Sequence, residues 1–485
     1  METLQRTANR GSLATGYDID HSCKFEDMND EYLYRTNVSG TNTKTWTVSW
    51  WFKTTELGSI RGSYLEHWQG GVYGEATRAG IDQYDRLWVD VGGGDGNAGT
   101  LFRSLSTQLI RDVSAWYHIC IACDSTQSTE ADRLKVWLNG VEVTTWDQHQ
   151  IPTLNFASAI AGFGGIQMKW GSYDSTYHGY SGYLAECHYL DGVTKVQTDF
   201  GEFDEDSGIW KPKAYTGTYG TNGTYLDFAD ASDLGDDESG NGNDYTENNI
   251  SAADQALDTP TNNFCTLLAT SPSASYYKRV KDGGTSYQSV TNAWTSCWST
   301  IPLYSGKWYA EFKRTAEGSG SNIFVGAGGM DENLYYYNLN YVGNNGNGTT
   351  FSVGLYSQNG DFYSGTGVTG SSYSTGDILC LAVDQDNGAI YFRKNNDAWM
   401  GDGTNAGNPA SGASRTGAQI IDWGTATNIA ISNYSNNDET EANYGGFSCM
   451  SNSRTYSDDN GYGLFVYEPP TGYLAICSKN LTETG

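Results

Sequence analysis

Short runs in which large apolar side chains alternate with small or polar ones recur along this chain. Each is cut off by Gly, Asn, Asp or Ser. Thr45-Trp46-Thr47-Val48-Ser49-Trp50-Trp51-Phe52 is the clearest, and the runs 86–91, 115–124, 134–140 and 182–189 repeat the theme. A period of two places one face of a strand against a core. The run at 134 ends on Asn139-Gly140, a pair suited to the positive φ angles of a tight hairpin. Many short strands joined by such turns predict an all-β protein.

Length and composition narrow this further. A chain of 485 residues exceeds what one core usually supports, so two or three domains are expected. With 35 Tyr and 15 Trp it carries too much aromatic mass for a disordered chain. Its 28 basic against 57 acidic residues give a net charge of −29. That excludes the basic footprint of a nucleic-acid binder, and an anionic membrane surface would repel the chain. No apolar run approaches the ~18–20 residues of a membrane span. Met1-Glu2-Thr3-Leu4-Gln5-Arg6 leads into polar sequence with no apolar segment of the signal type. Synthesis in a cytoplasm is therefore expected, for a protein of extracellular composition. A virus particle released by lysis satisfies both.

The nine Cys are dispersed, unlike the dense staples of a small secreted domain. Cys120 and Cys123 form a C-x-x-C, but within a strand-like run they face opposite sides and share no metal. Buried thiols are expected.

The stretches Ala115 to Asp124, Leu134 to Gly140 and Gly182 to His188 resemble the laminin-G/concanavalin A-like jelly-roll family, with its W-Y-H strand, strand-N-G hairpin and G-Y-hydrophobic-E closing strand. Further on, Gly306-Lys307-Trp308-Tyr309-Ala310-Glu311, Ile323 to Gly328, and Gly376 to Asp384 followed by Asn387-Gly388 and Ala389 to Asn395 resemble a SPRY domain. At Ile431-Ser432-Asn433-Tyr434 the chain departs from that family's more aromatic N-F-G pattern. Between the two, Leu226 to Asp230, Gly240 to Asp244 and Asp258 to Phe264 resemble a segment recurring in virion structural proteins of marine bacteriophages, and Pro469 to Leu481 resembles the closing motif of the same proteins. The expected order is a polar arm at 1–22, which is flexible or used for docking, and a jelly roll at 23–200. A linker or small subdomain at 201–284, a SPRY-like sandwich at 285–468 and a C-terminal tail at 469–485 follow.

Jelly-roll glycan hydrolases resembling the first module carry paired carboxylates in an E-x-D-x-x-E string, one to attack and another to protonate. The nearest string is Glu202-Phe203-Asp204-Glu205-Asp206-Ser207, which ends in Ser and reads as a solvated loop between Gly201 and Gly208. No G-x-S-x-G elbow is present. His118 reads as a structural strand residue, while His67, His149, His178 and His188 lack metal spacing and His21 lies in the arm. No catalytic residue is assigned. Calcium favours clustered hard oxygens, and Asp236, Asp237, Asn241 and Asp244 are its weak candidates, against a plain hydrophilic turn.

Sugars pack their C–H faces on aromatic rings and bond their hydroxyls to Asn, Asp and backbone. Two aromatic-rich loops fit that chemistry. One holds Trp170, Tyr173, Asp174, Tyr177 and Tyr180; the other runs from Asp331 to Tyr341 and holds Tyr335, Tyr336 and Tyr337. The same rings would equally serve to cover a sheet or face a neighbouring subunit. The expectation is a non-enzymatic virion surface protein: a tail fibre, spike or capsid appendage that binds host-surface glycan or other virion proteins. The alternatives are a particle-borne polysaccharide depolymerase and a purely structural decoration protein. Virion appendages are symmetric, so a homo-oligomer is expected, and the resemblance points to a trimer.

Overall fold

A computed structural model describes residues 16–38, 40, 42–57, 62–68, 76–93, 99–162, 165, 167–171, 179–268, 278–318, 320, 322–329, 341–343, 352–363, 368–421, 426–450 and 453–484. The protein is all-β, with two tandem antiparallel sandwiches, as its alternation predicts. The chain divides into two compact units between Thr261 and Asn262. Among the described residues no helix is long and apolar enough to cross a membrane.

The first sandwich faces two eight-stranded sheets together. Thr45–Thr54 lies between Tyr117–Asp124 and Gly182–Asp191 at the centre of one sheet. Arg86–Gly92 and Thr77–Ile81 lie near the centre of the other. Alternating residues from both, among them Trp50, Ile119, Ile121, Val89 and Leu87, fill the core. Cys123 belongs to this core and Cys120 to a cluster on the opposite face of the same strand. The period-two argument against a shared metal therefore stands. No two of the nine cysteines are bonded, and all but Cys449 are buried. The hairpin at Asn139-Gly140 has φ of +48° and +77°, and its strands pair Leu138 with Val141.

Two segments sit otherwise than the sequence suggests. Residues 201–261 are not a linker. Thr224–Leu226 pairs with Gly182–Asp191, Thr246–Asn248 with Tyr32–Thr36, and Gln255–Ala256 with Ser22–Phe25. The segment looked like a linker because its polar groups bond to one another, which composition alone does not distinguish from solvation. Asp258 shows this. It is buried, pairs with Lys53 at 2.7 Å and accepts from the Trp116 indole at 2.8 Å. The arm follows the docking alternative of the sequence reading where it is described, with Ile19 buried and its N–H donating to Thr261. The C-terminal stretch is not a tail, since Leu474 and Ile476 lie in the second core.

In the second sandwich the seven-stranded sheet centres on Lys307–Ala316, between Glu439–Asn443 and Ile378–Asp384. The hairpin expected from Gly376 to Asn395 is present, pairing Ile378–Asp384 with Ala389–Lys394. The six-stranded sheet runs Leu267–Leu268, Thr295–Ser299, Thr427–Asn433, Ile323–Gly329, Ser352–Tyr356, Phe362–Tyr363. Ile431 and Ile429 of its central strand point into the core, so the departure at 431–434 leaves the register intact.

Candidate functional site

Alternation along the six-stranded sheet sends Ile323, Val325, Ile429, Ile431, Val353 and Leu355 inward. The residues between them face out: Phe324, Ala430, Tyr356, Tyr363 and Trp298. The missing Cβ at Gly354 lets the segment 341–343 lie close over this face, since a Cβ there would meet the Val342 carbonyl at 2.5 Å. Val342 donates its N–H to Ser432 Oγ at 2.9 Å.

The result is a gathering of rings from well-separated segments. Tyr341 and Tyr356 each stack on Phe324 at 4.6 Å between centroids, with interplanar angles of 8° and 17°. Trp294 contacts Phe324, Tyr341, Tyr356 and Tyr434 at 4.7–6.5 Å. Tyr363 meets Phe324 edge-on at 4.9 Å. Phe324 is buried, Trp294, Trp298, Tyr341, Tyr356 and Tyr363 are half-buried, and Tyr434 is 36% exposed. Burial pushes the Tyr341 and Tyr356 hydroxyls up, so they remain protonated donors. Neutral polar groups border the rings. The Tyr356 hydroxyl bonds to the Asn322 amide oxygen, Ser296 and Ser432 share a hydroxyl pair at 2.7 Å, and Asn436 N–H donates to Asn292. Apolar ring surface beside amide and hydroxyl groups is the chemistry that sugar recognition uses.

A second aromatic cluster lies on the outer face of the first sandwich, and it is organised differently. Between Ala185 and His188 the closing strand holds one residue more than its partner, a β-bulge, and Glu186 sits in it at φ +50°. The bulge keeps Glu186 on the outer face, where its carboxylate accepts from Tyr17 at 2.6 Å and Tyr225 at 2.8 Å. His188 stacks on its cross-strand neighbour Tyr225 at 4.4 Å and 9°, and its Nδ1 lies 3.0 Å from the Tyr219 hydroxyl. Phe200 and Tyr215 complete the layer. Burial, then the Glu186 charge, pushes the Tyr225 hydroxyl far above its ordinary range. Glu186 is only 5% exposed. This face is already covered by the protein's own chain.

The sequence-derived candidates fall elsewhere. Trp170 is fully buried, packs edge-on against Trp50 and donates to Tyr245, so it belongs to the core. Tyr180 is also buried, with its hydroxyl on the Lys53 and Tyr183 carbonyls. Both ends of that loop are strand-anchored, which a run of aromatic and polar residues does not reveal. Tyr173, Asp174 and Tyr177 lie outside the described residues, as do Tyr335, Tyr336 and Tyr337. Tyr341, the last residue of the second loop, is described and joins the ring cluster.

The calcium candidates form a self-satisfied turn. Asp237 accepts from the N–H groups of Tyr225, Ser239 and Asn243 and from the Ser239 hydroxyl. Asp244 accepts from Asp237 N–H, and the Asn241 amide donates to the Gly220 and Gly223 carbonyls. Asp236 sits among Asp244, Asp233 and Asp230, and burial and those charges hold its carboxyl up. Oxygens spent on backbone donors do not converge on an ion. Among the described residues, the set of three metal-type donors lying within 4.8 Å of one another is Asp282, Glu441 and Cys449. There the Glu441 carboxylate already accepts from Thr285, Ser448 and Cys449 N–H. At the hydrolase-like string, Gly201–Phe203 is a strand and not a loop. Asp204 closes its turn by accepting from Ser207, and Lys211 lies within 3.5 Å of both Glu202 and Asp204. His118 is buried on Ser49 at 2.8 Å, and burial holds its pKa down to about 3.

No family model and no curated protein matches this sequence. Among solved structures, the human HERC1 SPRY domain is similar at 15% identity, with 34% of this chain and 91% of that chain covered and a TM-score of 0.26. A heptameric SAP-like pentraxin from Limulus polyphemus is similar at 16% identity, covering 37% and 80%, with a TM-score of 0.27. A candidate carbohydrate-binding protein from Bacteroides ovatus ATCC 8483 is similar at 14% identity, covering 48% and 60%, with a TM-score of 0.33.

Proposed function

We propose that this chain is a non-catalytic surface component of a bacterial virus particle, and that its second sandwich binds glycan on the outer face of the six-stranded sheet. The observation that carries the binding reading is the half-buried ring cluster of Trp294, Tyr341, Tyr356, Tyr363 and Tyr434, bordered by amides and hydroxyls. A scaffold of paired strands with such a face needs no catalytic group to act. The virion reading is supported by the resemblance at Leu226 to Asp230, Gly240 to Asp244, Asp258 to Phe264 and Pro469 to Leu481.

The test of binding is a glycan array probed with the full chain, beside Trp294→Ala and Tyr434→Ala. Binding that both substitutions remove supports the reading. An array without hits favours a purely structural protein, and reducing sugar released from a bound polysaccharide favours a depolymerase. The virion assignment is tested separately: the chain should be found at fixed copy number by mass spectrometry and cryo-electron microscopy of purified particles. Its absence from them would discard that assignment alone.

A further inference from the structure

We infer that the ring face selects uncharged polysaccharide and rejects uronate- or sulfate-bearing chains. This rests on the glycan reading of that face and names its ligand class. The six strands Leu267–Leu268, Thr295–Ser299, Ile323–Gly329, Ser352–Tyr356, Phe362–Tyr363 and Thr427–Asn433 contain no Asp, Glu, Lys, Arg or His. The sheet packed behind them is the opposite. Lys307–Ala316 alone holds Lys307, Glu311, Lys313 and Arg314, and Glu439–Asn443 holds two carboxylates. Within one sandwich, charge has been kept to a single sheet.

Two carboxylates are tied to residues of the ring face. Asp361 stands just before Phe362 and accepts from Thr369 and Asn359. Asp438 is fully buried, adds its charge to the upward shift of the Tyr356 hydroxyl and accepts from Gly318 and Ser435 N–H. Arg314, the cation beside Asp438, is fully buried, 3.9 Å from Asp438 and 3.4 Å from Glu317. A guanidinium in that position cannot reach a ligand on the face. An anionic chain would thus gain no ion pair from Arg314 and would meet the Asp361 carboxylate and a net charge of −29. A neutral chain loses nothing by this. Its C–H surfaces meet the rings, and its hydroxyls can replace water as hydrogen-bond partners of the neutral Asn and Tyr groups.

The experiment is a panel of neutral, uronate-bearing and sulfated polysaccharides, bound to the full chain and to Trp294→Ala, Trp294→Phe and Tyr434→Ala. Neutral polymers should bind, with affinity changing less than about twofold between about 50 mM and about 500 mM salt. Trp294→Ala should weaken them at least about tenfold, while Trp294→Phe, which keeps a ring and guards against misfolding, should retain most affinity. Salt-sensitive binding of acidic polymers that is lost in Trp294→Ala overturns the selectivity and leaves the glycan reading standing. Binding that survives every ring substitution, or no binding by any polymer, overturns both.

Discussion

The outer faces of the two sandwiches both collect aromatic rings, yet among the described residues the second keeps more ring surface exposed. In the first, His188, Tyr225, Tyr219, Tyr215 and Phe200 stack on one another under the protein's own segment 197–225, and Glu186 ties the hydroxyls of Tyr17 and Tyr225 to the sheet. In the second, Trp294, Tyr341, Tyr356, Tyr363 and Tyr434 are bordered by amides and hydroxyls, and among the described residues no carboxylate accepts a hydrogen bond from these rings. The opposite sheet of the second sandwich follows the first pattern. Glu311 accepts from Val466 and Tyr467 N–H, the Asn443 amide and the Tyr309 hydroxyl, while Glu441 accepts from Ser448 and Cys449. In both closed faces a buried carboxylate on the sheet bonds to the segment that covers it. Aromatic content does not separate the two cases, but that bond between sheet and cover does.

The strongest way to break this rule is to remove the most completely engaged carboxylate. Glu311→Ala strands two backbone N–H groups and an amide in a buried site, and is expected to cost about 4 kcal/mol in urea unfolding. A loss under about 1 kcal/mol would mean that the carboxylate does not hold the covering segment. A slightly smaller effect is expected at Glu441, where the comparison acquires a pH dependence. Burial, with the Asp282 charge second, lifts its pKa from 4.5 to about 7. A carboxyl whose folded pKa is raised adds stability that is full below the unfolded value and disappears as pH rises through the folded one. The wild type should therefore lose ~3 kcal/mol between about pH 4.5 and about pH 7 through this group, and Glu441→Gln should flatten that slope. An unchanged slope in the variant would remove Glu441 from the account.

Much of the fold was legible, and little of the site. Alternation at 45–52, 115–124 and 376–395 found strands that the structure contains, because period two reports burial of one face directly. The Asn139-Gly140 turn was legible for the same reason: its φ angles restrict which residues fit. Residues 201–261 were misread because Asp237 and Asp258 look solvated by composition, and only their partners at 225, 239, 243, 53 and 116 reveal otherwise. The ring face was illegible in most of its members. Trp294, Tyr356, Tyr363 and Tyr434 come from four segments and share no local pattern, since what unites them is sheet order. One signal was available: six strand segments without a charge in so acidic a chain. Tyr341 was reached through its loop, whereas Trp170 and Tyr180 were drawn from a loop whose ends are core strands.

The smallest expected effects test the comparison most directly, because they set a tyrosine on each face side by side. Tyr225→Phe keeps the ring that stacks on His188 and removes only the hydroxyl that Glu186 accepts, so it should cost about 1.5 kcal/mol. Tyr434→Ala removes a whole side chain, but one that is 36% exposed and held by a single described ring contact, with Trp294. It should cost under about 1 kcal/mol. The larger deletion is thus expected to be the milder one for stability, and it alone should affect glycan binding. Chemical denaturation of both variants beside the array decides it. If Tyr434→Ala destabilises more than Tyr225→Phe, the ring face is a packed layer like the first, and its half-exposure has no functional meaning. If Tyr225→Phe alters binding while Tyr434→Ala does not, the two faces have been assigned the wrong way round.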